Sequence, residues 1–449
     1  MRFMNASWEP LFSGDKADEI LAAVHGIAGA LRAPDAGRGS REEGGASLAG
    51  GAAGEALFHG YLALHTQEEE AAERAGELID QASEALASRP MSAALYGGFT
   101  GVTWAIEHLR EHLFTADESD ESTESDESTA DDEEEDADPA AEIDEALIAP
   151  LSVSPWPGDY DLIGGLVGIA VYGLERLPRP TAVQLLERVV ERLAERSQAI
   201  GEGIAWFTDP NLLPEWQREL YPEGYYNLGV AHGNPAVLAV LAACHAAGVA
   251  RPTVEPLLEG GMRWLLARRN GPEISSSFGT MYTEKQSEPQ PSRLAWCYGD
   301  PGVAANLLLC GRFLGRADWE SQALEVGRRA TQRSYEQSGV RDAGLCHGAA
   351  GLAHLFNRMY QITGDTTFAG AARTWVDHTL ALRTDEGETL AGFRAWSAIG
   401  PNMELGWRAE PGFLEGAAGV GLALLGSISS VEPAWDRVLT LSLPGLPRR

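Results

Sequence analysis

Cysteine is scarce in this chain, with four in 449 residues. So thin a supply excludes a disulfide-built scaffold and suits a reducing compartment where thiols stay free. Basic residues are also few. The 34 lysines and arginines face 66 acidic residues, for a net charge of −32. Nucleic-acid binding needs a basic face, and this balance argues against it. Long apolar runs are missing too. No stretch is long enough to span a bilayer, and residues 1–10 hold no apolar signal core. The chain therefore reads as soluble and cytoplasmic, not as an integral membrane protein. What it has in quantity is apolar and small: 44% hydrophobic residues and 51 glycines, enough for a large core.

The negative charge is uneven. Between Asp117 and Glu145 acidic residues outnumber all others and no basic residue occurs. Such a run repels itself and buries nothing, so a disordered acidic insertion is expected at about 116–145. Residues 36–46 are rich in glycine and charge and read as a flexible connector. The expected organisation is a helical or flexible lead-in over 1–46, then one domain over 47–449 that carries the insertion.

A small-residue phrase recurs along that domain. It runs Gly50-Gly51-Ala52-Ala53-Gly54, Gly97-Gly98-Phe99-Thr100-Gly101, Gly164-Gly165-Leu166-Val167-Gly168 and, less perfectly, His232-Gly233-Asn234-Pro235-Ala236. Then come Tyr298-Gly299-Asp300-Pro301-Gly302, His347-Gly348-Ala349-Ala350-Gly351 and Glu415-Gly416-Ala417-Ala418-Gly419. Uneven spacing marks a structural repeat with insertions in its connections. Each phrase opens a run that is apolar nearly all round, as in helices packed on several sides. Amphipathic stretches lie between: in 181–196, Leu186, Val189, Val190 and Leu193 share one face and Glu187, Arg188, Glu191 and Arg192 fill the other. Buried helices alternating with half-exposed ones predict an all-α fold, an α/α toroid of seven inner and seven outer helices. A helical solenoid is the alternative.

Two of the four cysteines fall in register with this repeat. Cys297 and Cys346 each stand two residues before a phrase glycine, and His347 follows Cys346. A closed ring would bring equivalent positions to one end of the barrel. Two thiolates and an imidazole suit zinc, and three protein ligands leave its fourth position open for a reactant. His232, Tyr298 and Glu415 share the register position of His347. Cys244 and Cys310 sit in apolar runs and read as core. The plain alternative is that Cys297 and Cys346 are small buried residues as well.

The combination Trp296-Cys297-Tyr298-Gly299 with Cys346-His347-Gly348, set on glycine-rich phrases from about Ser47 onward, resembles the lanthionine synthetase C family of lanthipeptide cyclases. The resemblance implies an α/α toroid and one zinc per chain on Cys297, Cys346 and His347. It implies functional roles for His232, in Ala231-His232-Gly233, and for Asp161, in Tyr160-Asp161-Leu162. Arg293, four residues before Cys297, and Tyr298, after it, match the family pattern as well. Asn234-Pro235-Ala236 departs from it, where a further glycine is usual. The activity implied is addition of precursor-peptide cysteine thiols to dehydroalanine or dehydrobutyrine, giving thioether rings. The partners implied are a dehydrated precursor and a separate dehydratase. His232 would serve as acid or base, oriented by Asp161, with Arg293 and Tyr298 as electrostatic or positioning partners. Three other readings stand beside this one: addition of a free thiol such as glutathione, a non-catalytic zinc-bearing scaffold that binds peptides, and a toroidal hydrolase or prenyltransferase.

Overall fold

The computed structural model describes residues 8–33, 45–114, 138, 140–285, 290–399 and 404–447. Its helices, in chain order, are α1 (Asp15–Arg32), α2 (Ala52–Thr66), α3 (Glu69–Ser88), α4 (Phe99–Leu109), α5 (Ala141–Leu151), α6 (Leu166–Glu175) and α7 (Pro180–Arg196). They continue with α8 (Asn234–Ala246), α9 (Arg251–Leu266), α10 (Asp300–Leu314), α11 (Ala317–Thr331), α12 (Ala349–Thr363), α13 (Thr366–Ala381) and α14 (Ala417–Ile428), with shorter turns between.

The even-numbered helices are those that follow the small-residue phrases, and they are buried almost throughout. Each packs on the next, and α14 returns to α2, so the contacts close on themselves. The odd-numbered helices lie against them. In α7 the expected stripe is buried: Leu186, Val189, Val190 and Leu193, joined by Ala182 and Leu185. Pro180 opens that helix where a missing N–H costs nothing, and the chain turns extended at Ser197. Each fully buried leucine or valine contributes about 1.5–3 kcal/mol of transfer free energy.

Closure is visible in the backbone as well. The residue two before each phrase's second glycine, or its neighbour, donates to the next phrase. Ala49 N–H donates to Tyr96 C=O (2.9 Å), Tyr96 to Ile163 (3.2 Å), Leu162 to Ala231 (3.2 Å) and Val230 to Cys297 (2.8 Å). Trp296 donates to Cys346 (3.1 Å), Cys346 to Leu414 (2.9 Å) and Leu414 back to Ala49 (2.9 Å). The phrases thus form a circular hydrogen-bonded belt at the N-terminal ends of the buried helices. The last glycine of a phrase explains how the helix comes so close. A Cβ at Gly101, Gly351 or Gly419 would overlap the carbonyl oxygen of Leu95, Leu345 or Phe413, six residues back. Where Ala236 replaces that glycine, the helix still begins, with Asn234 as a buried anchor. Its side chain accepts from Trp206 N–H (2.9 Å) and donates to the carbonyls of Trp206 (3.1 Å) and Asn227 (3.0 Å).

Two sequence expectations need amendment. The fold is mostly helical rather than all-α, because among the described residues the connections hold two antiparallel sheets. One is β1 (Ser197–Ile200), β2 (Gly203–Thr208), β3 (Tyr225–Asn227) and β4 (Met281–Tyr282), in that order. The other is the hairpin β5 (Ala395–Ile399) with β6 (Glu404–Arg408). The lead-in holds a helix, and that helix, α1, packs against α14 along its buried face of Ile20, Val24, Ile27 and Leu31. The disorder expected at about 116–145 does not reach the C-terminal end of that range. Residues 115–137 and 139 lie outside the described residues, as do 34–44 of the expected connector, but α5 occupies 141–151. Asp144, counted in the charge run, is fully buried and accepts from Arg176 Nη2 and from the Tyr172 hydroxyl, both at 2.8 Å. A buried carboxylate with an arginine partner is not a solvated charge.

The C-terminal segment crosses the barrel beneath the belt. Trp296 Nε1 donates to Leu439 C=O (2.7 Å) and the Tyr96 hydroxyl to Val438 C=O (2.8 Å). Asp436, fully buried, accepts from Arg358 Nε (2.7 Å) and pairs with His354 (2.8 Å), while Arg437 reaches Glu175 (2.8 Å). Burial opposes charge on Asp436, but Arg358 and His354 outweigh it and hold the carboxyl at about 2. This segment ties α6 to α12 and floors the space below the belt.

Candidate metal and acid–base site

The belt places one residue of each phrase, the one just before the second glycine, on a common ring. Around it stand Gly50, Gly97, Gly164, His232, Tyr298, His347 and Glu415. Cys297 and Cys346 are in the belt itself and bond to each other through the backbone, Cys297 N–H to Cys346 C=O at 3.3 Å. That adjacency follows from neighbouring phrases in a closed ring. It brings the ligand atoms of Cys297, Cys346 and His347 within 4.8 Å of one another. Both thiols are buried, at 5% and 9% exposure, and His347 is nearly so.

The donor set fits a thiophilic divalent cation. A hydrogen bond from Cys346 holds the Cys297 thiol well below the usual thiol range; burial opposes this, while His347 and the Arg293 cation reinforce it. The same bond pushes Cys346 up. The pair therefore readily gives up one proton, and a cation would draw off the second. Cys244 makes the contrast: buried in α8 without such partners, it is pushed up to about 12 by burial. Two buried thiols and an imidazole at this separation match a tetrahedral site with one position left open.

His347 has a further neighbour, Asp342, whose Oδ2 lies 3.7 Å from His347 Nε2. Asp342 is buried and accepts from Gly344 N–H (3.1 Å) and Trp396 N–H (2.9 Å). Ligating imidazoles are commonly oriented by a carboxylate in this way.

On the adjoining phrase, His232 Nδ1 is hydrogen-bonded to Asp161 Oδ2, while Asp161 Oδ1 accepts from Gly164 N–H at 2.8 Å. Asp161 thus caps its tight turn and holds the imidazole at once. The His232 side chain keeps 43% exposure, so it is within reach of a reactant. Burial works to lower its pKa, but Asp161, with Asp159 and Cys297 adding charge, leaves it raised above the ordinary value. Tyr298 lies beside it, ring centroids 6.2 Å apart, and its hydroxyl accepts from Asn227 Nδ2 at 3.0 Å. Burial drives the phenol pKa upward, so Tyr298 stays a proton-bearing donor. Arg293 is half-buried and sets positive charge beside Cys297, Cys346 and His347, with no hydrogen bond to them among the described residues. Glu415 completes the arc, its carboxyl pushed up first by burial and then by Asp342 and Glu410, against His347 and Arg408.

Asp342, Asn227 and Asp159 escaped sequence reasoning. Asp159, pushed up to about 6 by burial and by Asp161, stands in Gly158-Asp159-Tyr160-Asp161. The paired acids of that phrase were a signal available to find it. Asp342 and Asn227 lie in connections outside the repeat and carried none.

The profile of the family described as lanthionine synthetase C-like protein matches residues 42–440. The chain belongs to that family. Within its range of relatives, the Nisin biosynthesis protein NisC of Lactococcus lactis subsp. lactis is 28% identical over 217 residues, 45% of this chain and 50% of NisC. The sequence match thus spans about half the length of that relative. Glutathione S-transferase LANCL1 of Danio rerio is 40% identical over 70 residues, 16% of each chain. In structure the protein is similar to nisin cyclase, with a TM-score of 0.68 at 19% identity, covering 96% of this chain and 98% of that one. That likeness concerns the fold. Like the family's matched region, the ring described above runs from the first phrase to the C-terminal segment.

Proposed function

We propose that this protein is a zinc-dependent lanthipeptide cyclase, a toroid read as seven inner and seven outer helices around one metal centre. The observation that carries the reading is the convergence of Cys297, Cys346 and His347 next to the His232–Asp161 pair. Cys297, Cys346 and His347 would hold the zinc. Bound there, zinc would supply the acidity that turns a substrate cysteine into a thiolate at neutral pH.

The thiolate sulfur attacks the β-carbon of a dehydroalanine or dehydrobutyrine in the same peptide. A C–S bond forms, the C=C π pair moves toward the carbonyl, and an enolate results. Arg293 and the Tyr298 hydroxyl are the donors that stabilise this charge. Protonation at the α-carbon completes the ring, and this proton balances the one the substrate thiol gave up to solvent on becoming a thiolate. His232 delivers that proton from Nε2, since Nδ1 faces Asp161. Such an enzyme needs a dehydrated precursor, so a separate dehydratase acts before it, and a reducing cytoplasm would keep its thiols free. No helix among the described residues is long and apolar enough to cross a membrane.

The short match to a protein named glutathione S-transferase favours one second reading, in which a free thiol adds to the dehydrated residue. One assay separates the two. The protein is incubated with a dehydrated, cysteine-containing precursor, with and without glutathione, and products are read by mass. Cyclisation removes an alkylatable thiol without changing mass, whereas free-thiol addition raises the mass by one glutathione. No reaction under either condition would favour the scaffold reading.

A further inference from the structure

One cavity reverses the sign of an otherwise acidic molecule. It has a volume of about 220 Å³ and opens between the β5–β6 hairpin, the C-terminal end of α13 and the loop before Cys346. Arg341, Arg383 and Arg394 all line it, together with Phe393 and Trp407. In a chain of net charge −32, three guanidinium groups around one cavity demand an account. Among the described residues none of the three has a carboxylate within ion-pair distance. Asp385, Glu386 and Glu388 are exposed on the same loop, yet they pair with none of them.

The arginines are held by other means. Arg341 lies over the Trp396 ring at 5.2 Å and Arg394 over the Trp407 ring at 4.7 Å. Arg383 Nε donates to Ala391 C=O at 3.3 Å. Such contacts hold a guanidinium in place and leave other N–H groups to take a carboxylate, which a guanidinium can do through two parallel hydrogen bonds. Trp407 and Leu405 on the hairpin are 41% and 64% exposed and offer apolar contact at the rim.

The inner wall of the cavity is Asp342, the same residue that lies 3.7 Å from His347. Its carboxylate is turned to the Gly344 and Trp396 N–H groups and to His347, so it is occupied. The cavity and the metal centre therefore stand on two sides of one side chain.

We propose that this cleft is a carboxylate-binding subsite that receives an aspartate or glutamate of the substrate peptide while its cysteine reacts at the neighbouring centre. The identity of the peptide as substrate rests on the cyclase reading; the binding itself does not, and the two can fail separately.

The test uses the full-length, zinc-loaded protein and two fluorescein-labelled peptides, Glu-Leu-Glu-Leu-Glu and Gln-Leu-Gln-Leu-Gln, followed by anisotropy. The expected result is that the glutamate peptide binds about tenfold or more tightly than its glutamine twin. Arg383→Gln and Arg394→Gln should each erase most of that preference, with zinc content and melting temperature unchanged. Arg394→Lys should recover it only in part, because the fork is lost while the charge remains. The Cys297→Ala protein should bind the glutamate peptide as the wild type does, even if cyclisation is lost. Equal binding of the two peptides, or arginine variants that bind like wild type, would overturn the proposal. So would competition by inorganic phosphate as effective as that by unlabelled glutamate peptide, since the cleft would then take any small anion.

Discussion

The belt has two arcs built on one backbone plan. In one arc the position before the second glycine is Gly50, Gly97 and Gly164; in the other it is His232, Tyr298, His347 and Glu415. Both arcs share the interphrase hydrogen bonds and the close approach of the buried helices. A Cβ at Gly97 would meet nothing within 4 Å, so the position has room for a side chain even where it has none. The difference teaches that the last glycine of a phrase serves the fold, while the position before the second glycine is free to carry chemistry. The fold repeats all the way round, and the titratable side chains at this position occupy one side.

The largest effect comes from violating the shared plan. Gly101→Ala drives a methyl into the Leu95 carbonyl and should destabilise by on the order of 3 kcal/mol or more. Gly97→Ala, four residues earlier, should stay within about 0.5 kcal/mol. Denaturant unfolding of the two variants compares them directly, and equal losses would dissolve the distinction between the positions.

Next in size is the reactive arc. His232→Ala should retain zinc and fold while the rate of ring formation falls by about 10²–10⁴. Full activity of this variant on a dehydrated precursor removes His232 from the mechanism. Asp161→Asn sharpens the same point through pH. Asp161 raises the His232 pKa, so the proton needed for the final step persists above the ordinary value near 6.5 and is lost as pH climbs through the raised one. Without that carboxylate the alkaline fall in rate should move to lower pH. The pair's stabilisation of the fold has the same sign: it is complete below the unfolded pKa and disappears as pH rises through the folded one.

Smaller again is the support of His347 by Asp342. Asp342→Asn should weaken zinc binding by about 10–100-fold in chelator competition, leaving stoichiometry at saturation intact. An unchanged affinity would mean that Asp342 serves only the Gly344 and Trp396 N–H groups. Smallest is the effect of removing residues 117–137. The cut spares Asp138, which pairs with Arg176, and cyclisation rates should match those of the intact chain.

Much of this was legible in the sequence because the repeat states it openly. The register of Cys297, Cys346 and His347 depends on phrases that recur in the chain, whereas closure of the ring over a solenoid shows only where Leu414 donates back to Ala49. His232 and Asp161 were found through the family pattern, and their contact appears only once the third and fourth phrases meet. Residues in the connections were not legible. Asp342 acts through proximity to His347 across a tight loop, and Asn227 through a strand that pairs with β2 and β4. The hairpin that forms one wall of the arginine cavity follows from local pairing of 395–399 with 404–408, which no repeat announces. Charge composition misled at α5, because a run of carboxylates looks solvated until the arginine that receives Asp144 is placed beside it.

The central claim is that two belt cysteines and one histidine hold a single zinc ion. Elemental analysis of the wild type, Cys297→Ala and Cys244→Ala, each freshly purified and shown to be folded, tests it most directly. One zinc per chain is expected in the wild type and in Cys244→Ala, and none in Cys297→Ala. Zinc-free wild type, or full zinc retained by folded Cys297→Ala, would contradict it.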